Sequence, residues 1–209
     1  MANQQERAYH HGDLKNAIIT TTLEMLHEGN SWDFTLREVA RRAGVSHAAP
    51  YKHFQDKSAL LAEIALLGFD RLYQQLSTAQ IKTGATLSTE ILILAQHYLQ
   101  FARENPALYR LMFSAIDEHT NRVHLNERAL SPLMIVLKLL ERGQQSGIIR
   151  QHDVQGQATA CWAQLHGLAL LHMNRLLLPE KVGEHAIEHA LHTLLHGLLI
   201  TPVSASNLP

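Results

Sequence analysis

One cysteine, Cys161, is all that this 209-residue sequence contains. No disulfide can therefore form within the chain, and a reducing compartment is the expected setting. No apolar run approaches the roughly 18 residues that a membrane-spanning helix needs. The polar stretch from Met1 to Lys15 has no signal-peptide apolar core. The expectation is a cytoplasmic protein with no membrane contact. An excess of one charge is also missing: 18 Lys and Arg stand against 19 Asp and Glu, for a net charge of −1. The basic balance that usually marks a nucleic-acid binder is thus absent over the whole chain. There is no Walker-type glycine loop and no G-x-S-x-G elbow, and the serines, aspartates and histidines are too scattered for a triad. These absences lead to the expectation of no enzymatic activity and no cofactor.

What is present is a globular composition, 46% hydrophobic and 18% charged, in a chain long enough for one large or two small domains with a substantial core. Apolar residues recur at helical spacing nearly throughout. Leu14, Ile18, Thr21 and Met25 fall at i, i+4, i+7 and i+11. Leu36, Val39, Ala40 and Ala43 repeat the pattern, as do Leu61, Ala65, Gly68, Leu72 and Leu76. No run of alternating β-branched residues competes with it. The expected fold is all-α, with about nine helices. Breaks are expected at Gly29-Asn30, at Gly44, at Lys82-Thr83-Gly84 and at Asn105-Pro106, where the residue before proline avoids the helical region. Gly143 to Asp153 reads as a loop, with Asp153 as the N-cap of the helix after it. Pro179 separates the last two helices, expected at about 154–177 and 181–199, and 201–209 reads as a disordered tail.

Charge is concentrated in one place. Between Thr35 and Lys57 five basic residues, Arg37, Arg41, Arg42, Lys52 and Lys57, face only Glu38 and Asp56. The same stretch carries strong local signals. Thr35 and Glu38 have the spacing of a capping box, and Phe34 and Val39 that of a hydrophobic staple, which together define a short helix from Leu36 to Arg42. Gly44 can take φ > 0 in the turn that follows. Ser46 is expected to cap a second short helix, which Pro50 must shorten or distort. Two short helices joined by a glycine turn outline a helix-turn-helix, although periodicity alone fits a plain surface hairpin as well. Ser46, His47, Ala48 and Ala49 are small or polar, so this backbone can come close to base edges. Tyr51, Lys52 and Lys57 can reach phosphates.

The run REVARRAGVS, followed by Tyr51, His53-Phe54 and a lysine at Lys57 opening a long helix, resembles the TetR (tetracycline-repressor-like) family. The opening YHHGDLKNAI, Tyr9 to Ile18, is similar to a common start of that family's first helix. Trp162, His166 and Gly167 resemble the Trp-x-x-x-His-Gly signature of one subgroup, and Phe101 to Ser114 is similar to the same subgroup. The resemblance is specific over 9–72 and moderately so over 96–173. It implies a three-helix DNA-binding domain at 1–57, with the helix-turn-helix at about 35–54. A helical regulatory and dimerisation domain would span 58–200. The implied function is transcriptional regulation, as a ligand-responsive repressor binding a palindromic operator as a homodimer. The matching DNA-binding positions are Arg37, Ser46, His47, Ala48, Tyr51, Lys52, His53 and Lys57, with Tyr51 and Lys57 as phosphate clamps. The implied partners are double-stranded operator DNA, a second copy of the chain and a small-molecule effector.

Two histidine-bearing stretches need separate readings. Trp162, His166, Ala169 and Met173 share one helix face. They are candidate lining for an effector pocket, with Tyr98, Phe101, Met112 and Phe113 as candidates for an opposite wall, but ordinary core packing accounts for the stripe at least as well. Such a pocket would be mostly apolar. His185, His189, His192 and His196 lie opposite the apolar face formed by Ile187, Leu191, Leu194, Leu195 and Leu198, and so read as a solvated or rim face. That apolar face is broad enough to serve both core and partner. His185 to His189 also fits the H-x-x-E-H pattern of zinc peptidases, yet no Asp or Glu follows His189 to supply a third ligand. No metal ligand is assigned. A metal- or haem-sensing regulator and a zinc-dependent hydrolase remain as alternatives.

Overall fold

The first helix follows from its apolar repeat: Ile18 and Leu26 are fully buried and Thr22 is buried with them, its hydroxyl donating to the Ile18 carbonyl at 2.7 Å. The computed structural model describes residues 5–80, 84–114 and 122–200. The described helices are α1 (Gln5–Gly29), α2 (Leu36–Arg42), α3 (Lys57–Ser77), α4 (Leu87–Glu104), α5 (Pro106–Met112), α6 (Glu127–Gln145), α7 (Val154–Met173), α8 (Pro179–Val182) and α9 (Ala186–Leu198), with a 3-10 turn at Pro50–Lys52. The all-α expectation holds among the described residues, apart from one isolated antiparallel bridge between Ile149 and Leu199. No described helix is long and apolar enough to cross a membrane.

The stops follow the local chemistry. α1 ends at Gly29, and Asn30 takes φ 47. α4 ends one residue before Asn105, and Pro106 opens α5, where its missing N–H removes no helical bond. Asp153 caps α7 by accepting from the Gly156 amide at 2.6 Å. The last two long helices are shorter than the sequence pattern indicates. α7 closes at Met173, where Arg175 turns left-handed (φ 55), and α9 starts at Ala186 after Gly183 (φ 84). Apolar periodicity carries on through Leu176 to Leu178, but the left-handed turn at Arg175 has already ended the helix, and Leu178 is extended ahead of Pro179. The loop after α6 runs from Ser146 and includes the buried Ile149. The expected break at Lys82-Thr83 and the expected tail at 201–209 lie outside the described residues.

The chain forms two compact units, one from residues 1–69 with 105–129 and the other from 70–104 with 130–209. In the first, α1 packs against α2 and α5. Arg110 donates to the Asn30 side-chain oxygen at 3.3 Å, and Arg128 pairs with Glu63 at 3.3 Å. Gly68 lets α5 come close to α3: a Cβ there would lie 2.6 Å from the Met112 sulfur and 3.1 Å from Leu108 Cδ1. In the second unit α4 packs along α7, and α9 packs on both. The Gln164 amide donates to the Ala190 carbonyl at 2.6 Å, tying α7 to α9, and Arg142 pairs with Glu90 to tie α6 to α4. The division drawn from the sequence at residue 57 follows the chemistry of the basic stretch, whereas the two units follow compactness.

Candidate nucleic-acid interface

α2 is anchored from its first residue. The Thr35 hydroxyl accepts from the Glu38 amide at 3.2 Å, and the Thr35 amide donates to the Glu38 carboxylate at 2.6 Å, which completes the capping box. These bonds from the backbone and hydroxyl of Thr35 hold the Glu38 carboxyl below its ordinary range, so it stays ionised. Phe34, Leu36, Val39 and Ala40 are buried, and Arg37 is exposed on the opposite side. Gly44 takes φ +69 in the turn, with open space around the position of a Cβ.

The segment after this turn is a short 3-10 turn and not an α-helix, the distortion expected of Pro50. Pro50 has no N–H to donate to the Ser46 carbonyl, four residues back, and its ring crowds that oxygen. The Ser46 carbonyl instead accepts from the Ala49 amide at 2.9 Å. The chain then tightens into the 3-10 turn at Pro50–Lys52. Ala49 and Pro50 are buried and tack the segment to the core, leaving Ser46, His47 and Ala48 exposed in a row. Tyr51 is 54% exposed, and Lys52 beside it is exposed too. His53 is placed differently from its neighbours. It is half-buried, and its Nε2 is buried without a hydrogen-bond partner among the described residues, so that nitrogen faces away from any ligand at the surface.

Two lysines frame this surface. The Lys57 ammonium lies 5.4 Å from the centroid of the Phe34 ring, and the Lys15 ammonium 5.9 Å from that of Phe54, both within cation–π range. Lys15 is absent from the sequence-derived set. It sits inside the repeat of α1, and no local signal ties a lysine there to a ring 39 positions later. Arg42 is engaged elsewhere, paired with Glu28, whose carboxyl it holds below the usual range. Besides Arg42, the cations of this region are Arg37, Arg41, Lys52 and Lys15, all exposed, and half-buried Lys57. Three small or polar exposed residues flanked by cations form a surface that can approach base edges while binding phosphates.

Residues 18–64, which include this surface apart from Lys15, match the family described as "Bacterial regulatory proteins, tetR family". Residues 91–198, more than half of the chain, match "Tetracyclin repressor-like, C-terminal domain". The chain belongs to the TetR family. It is a DNA-binding transcriptional regulator with the helix-turn-helix in its N-terminal part. It is 25% identical over 189 residues to the uncharacterised HTH-type transcriptional regulator YobS of Bacillus subtilis, spanning 90% of this chain and 94% of YobS. A protein of unknown function from Rhodococcus sp. RHA1 is similar in structure, with a TM-score of 0.75 and 29% identity over 91% of this chain and 98% of that one. FadR from Bacillus subtilis, solved in complex with stearoyl-CoA, has a TM-score of 0.69 at 18% identity, over 88% of this chain and 98% of FadR. At that identity the likeness to FadR shows the fold alone.

The second unit of this TetR-family chain contains a partly open apolar cavity of about 50 Å³, lined from α3, α4, α6, α7 and α9. Of the pocket residues read from the sequence, Tyr98 lines it. Phe101 is buried in the core, Trp162 is 42% exposed with its ring 6.1 Å from that of His166, and Met173 is half-buried at the end of α7. Met112 and Phe113 belong to the first unit, where Met112 packs at Gly68 and Phe113 joins an aromatic group with Phe69, Tyr109 and His124. Of the seven residues read as two facing walls, Tyr98 alone lines this cavity. The cavity residues that sequence reasoning missed, such as Ala95, Leu139, Cys161 and Leu165, have the spacing of any core residue.

In the histidine stripe His185, His189 and His196 are exposed and His192 is half-exposed. His185 pairs through Nδ1 with Glu188 at 2.9 Å, so the two are engaged with each other. No group of three His, Cys, Asp or Glu among the described residues is arranged to hold a metal ion. Two other histidines respond to burial instead, which holds His166 and His124 below the ordinary histidine range. Both then stay neutral in the fold while the unfolded chain protonates near its ordinary value of ~6.5. Their contribution to stability is complete above about pH 6.5 and is lost as pH falls through that value toward the lowered folded ones. Urea midpoints measured from pH 8 to pH 5 should be level at first and then fall. The double variant His124→Gln, His166→Gln should show a shallower fall than the parent chain.

Proposed function

We propose that this TetR-family protein is a ligand-responsive repressor that binds a palindromic operator as a homodimer in the cytoplasm. In this reading residues 1–57 form the DNA-binding domain and 58–200 the regulatory and dimerisation domain. Ser46, His47 and Ala48 meet base edges, and Arg37, Tyr51, Lys52 and Lys57 meet the sugar-phosphate backbone. The observation that carries the proposal is the row of three exposed residues at 46–48, backed by buried Ala49 and Pro50 and flanked by cations. A two-fold operator follows from a two-fold dimer. The resemblance of Trp162, His166 and Gly167 to the Trp-x-x-x-His-Gly signature supports membership of the C-terminal half in that subgroup.

Support for a dimer comes from large apolar side chains left at the surface of the single chain along α7 and just beyond it. Trp162 is 42% exposed, Leu171 40%, Leu176 53% and Leu178 51%. Exposed apolar surface of this kind is typical of an interaction site. Effector control would then be a population shift, in which the ligand binds better to a dimer whose reading segments are misplaced for the two half-sites. The stearoyl-CoA complex of FadR shows that a protein of the same fold takes a small amphiphile, which supports an effector of this general kind here.

The test is to sequence genomic DNA fragments retained by the purified protein. The expected result is one enriched inverted repeat, with sedimentation showing two chains per site. Retention of fragments with no shared motif would overturn the operator-binding reading.

A further inference from the structure

The cavity in the second unit has walls that carry no formal charge. The only polar side-chain atoms among its lining residues are the Tyr98 hydroxyl and the Cys161 thiol. Burial pushes that thiol up to about 11, so near neutral pH it is neither an anion nor a ready nucleophile. An ionised group moved into such surroundings without a partner is heavily penalised. Water gains little there either, because an apolar void does not offer the several polar partners that a buried water needs.

Size narrows the choice further. Well-packed interiors leave few voids wider than a water molecule, so a partly open apolar cavity of about 50 Å³ is room that the chain's own side chains leave unfilled. It is far smaller than the roughly 150 Å³ of an apolar cavity that takes up benzene. An aromatic or fused ring would have to displace the walls. An alkyl chain presents a narrower cross-section and can enter end-on. Because five helices supply the walls, filling the void changes how they pack on one another.

We propose that this cavity receives the end of an unbranched hydrocarbon chain carried by the effector, with any polar or charged head group left outside the bundle. This deepens, and rests on, the reading of the protein as ligand-responsive.

Calorimetric titration of the full chain with three probes tests the chemistry. 1-Octanol should bind at least tenfold more tightly than 1,8-octanediol, which has the same chain but would bury a second hydroxyl, and than 2-phenylethanol, which ends in a ring. Ala95→Leu, which fills the cavity from α4, should weaken 1-octanol at least tenfold with its helical circular dichroism retained. Should Ala95→Leu fail to fold, Leu139→Ala decides the matter: by enlarging the cavity it should tighten 2-phenylethanol severalfold. Equal affinity for octanol and octanediol, no octanol binding to the parent chain, or unchanged affinities in both variants would each overturn the assignment. Release of a retained genomic fragment is followed in parallel. Octanol binding without release overturns ligand-responsiveness and leaves the cavity assignment standing. Release by octanol that persists undiminished in folded Ala95→Leu overturns the cavity and leaves responsiveness standing.

Discussion

Lys57→Ala should weaken binding to operator and to random DNA alike, by about tenfold for each phosphate it no longer holds, the size expected when a hydrogen bond to a charged group is removed. It should also lower the slope of log affinity against log salt by about one unit per phosphate. Lys57 opens α3, and a helix N-terminus by itself attracts phosphate. Here, however, the Asp56 carboxylate already accepts from the Ala59 amide at 2.8 Å, placing a negative charge at that end. A phosphate clamp at this end would therefore act through the Lys57 ammonium more than through the helix. Its position 5.4 Å from the Phe34 ring centroid limits the freedom it has to lose on binding. His47→Ala should behave differently, changing which bases are preferred while leaving the salt slope nearly unaltered, because base edges are read without releasing counterions. Titrations of each variant against operator and random DNA at several salt concentrations distinguish the two. Parent-like binding of Lys57→Ala to both DNAs would exclude it as a phosphate clamp.

Trp162→Glu should convert a dimer into a folded monomer and lower operator affinity by about a hundredfold or more. Tryptophan is among the commonest interface hot spots, and removing one costs about 2 kcal/mol or more. A carboxylate in its place would also be buried without a partner. Loss of dimerisation separates two half-sites that are otherwise bound together, so weakening on DNA should exceed the effect on either reading segment alone. The fold should survive because Trp162 is 42% exposed in the single chain. Leu194 is the contrasting case. It lies on the apolar face of α9, is half-buried, and lines both the apolar cavity and an open groove beside Gly156 and Gly197. Leu194→Glu should therefore leave monomeric or unfolded protein, because the charge disturbs both surfaces. Sedimentation and circular dichroism on both variants check this. A dimeric Trp162→Glu protein would remove α7 from the interface.

Legibility divided along the interface segment itself. The helix from Leu36 to Arg42 could be read to the residue, because a capping box and a glycine turn are interactions between near neighbours. The element after it was only half legible. Pro50 announced a distortion, but the 3-10 turn with Ala49 and Pro50 buried depends on what the segment packs against. The inward turn of His53 Nε2 and the arrival of Lys15 over Phe54 have no local cause at all. In the second unit the sequence points to an apolar pocket, but not to the residues that line it.

The helical class, most of the helix stops and the position of the basic segment are all written in local sequence. Each of these rests on periodicity, capping or proline chemistry acting over three or four residues. Tertiary structure decided which apolar faces are covered by the chain's own helices and which are left open. Trp162 and Leu165 sit on the same helix in the same kind of pattern, yet one is 42% exposed and the other 9%. An i, i+4 repeat marks a face as apolar without saying what covers it. The cavity is more remote still from local sequence. A void is a small mismatch among side-chain volumes brought together from five helices far apart in the chain, and no single segment carries that sum.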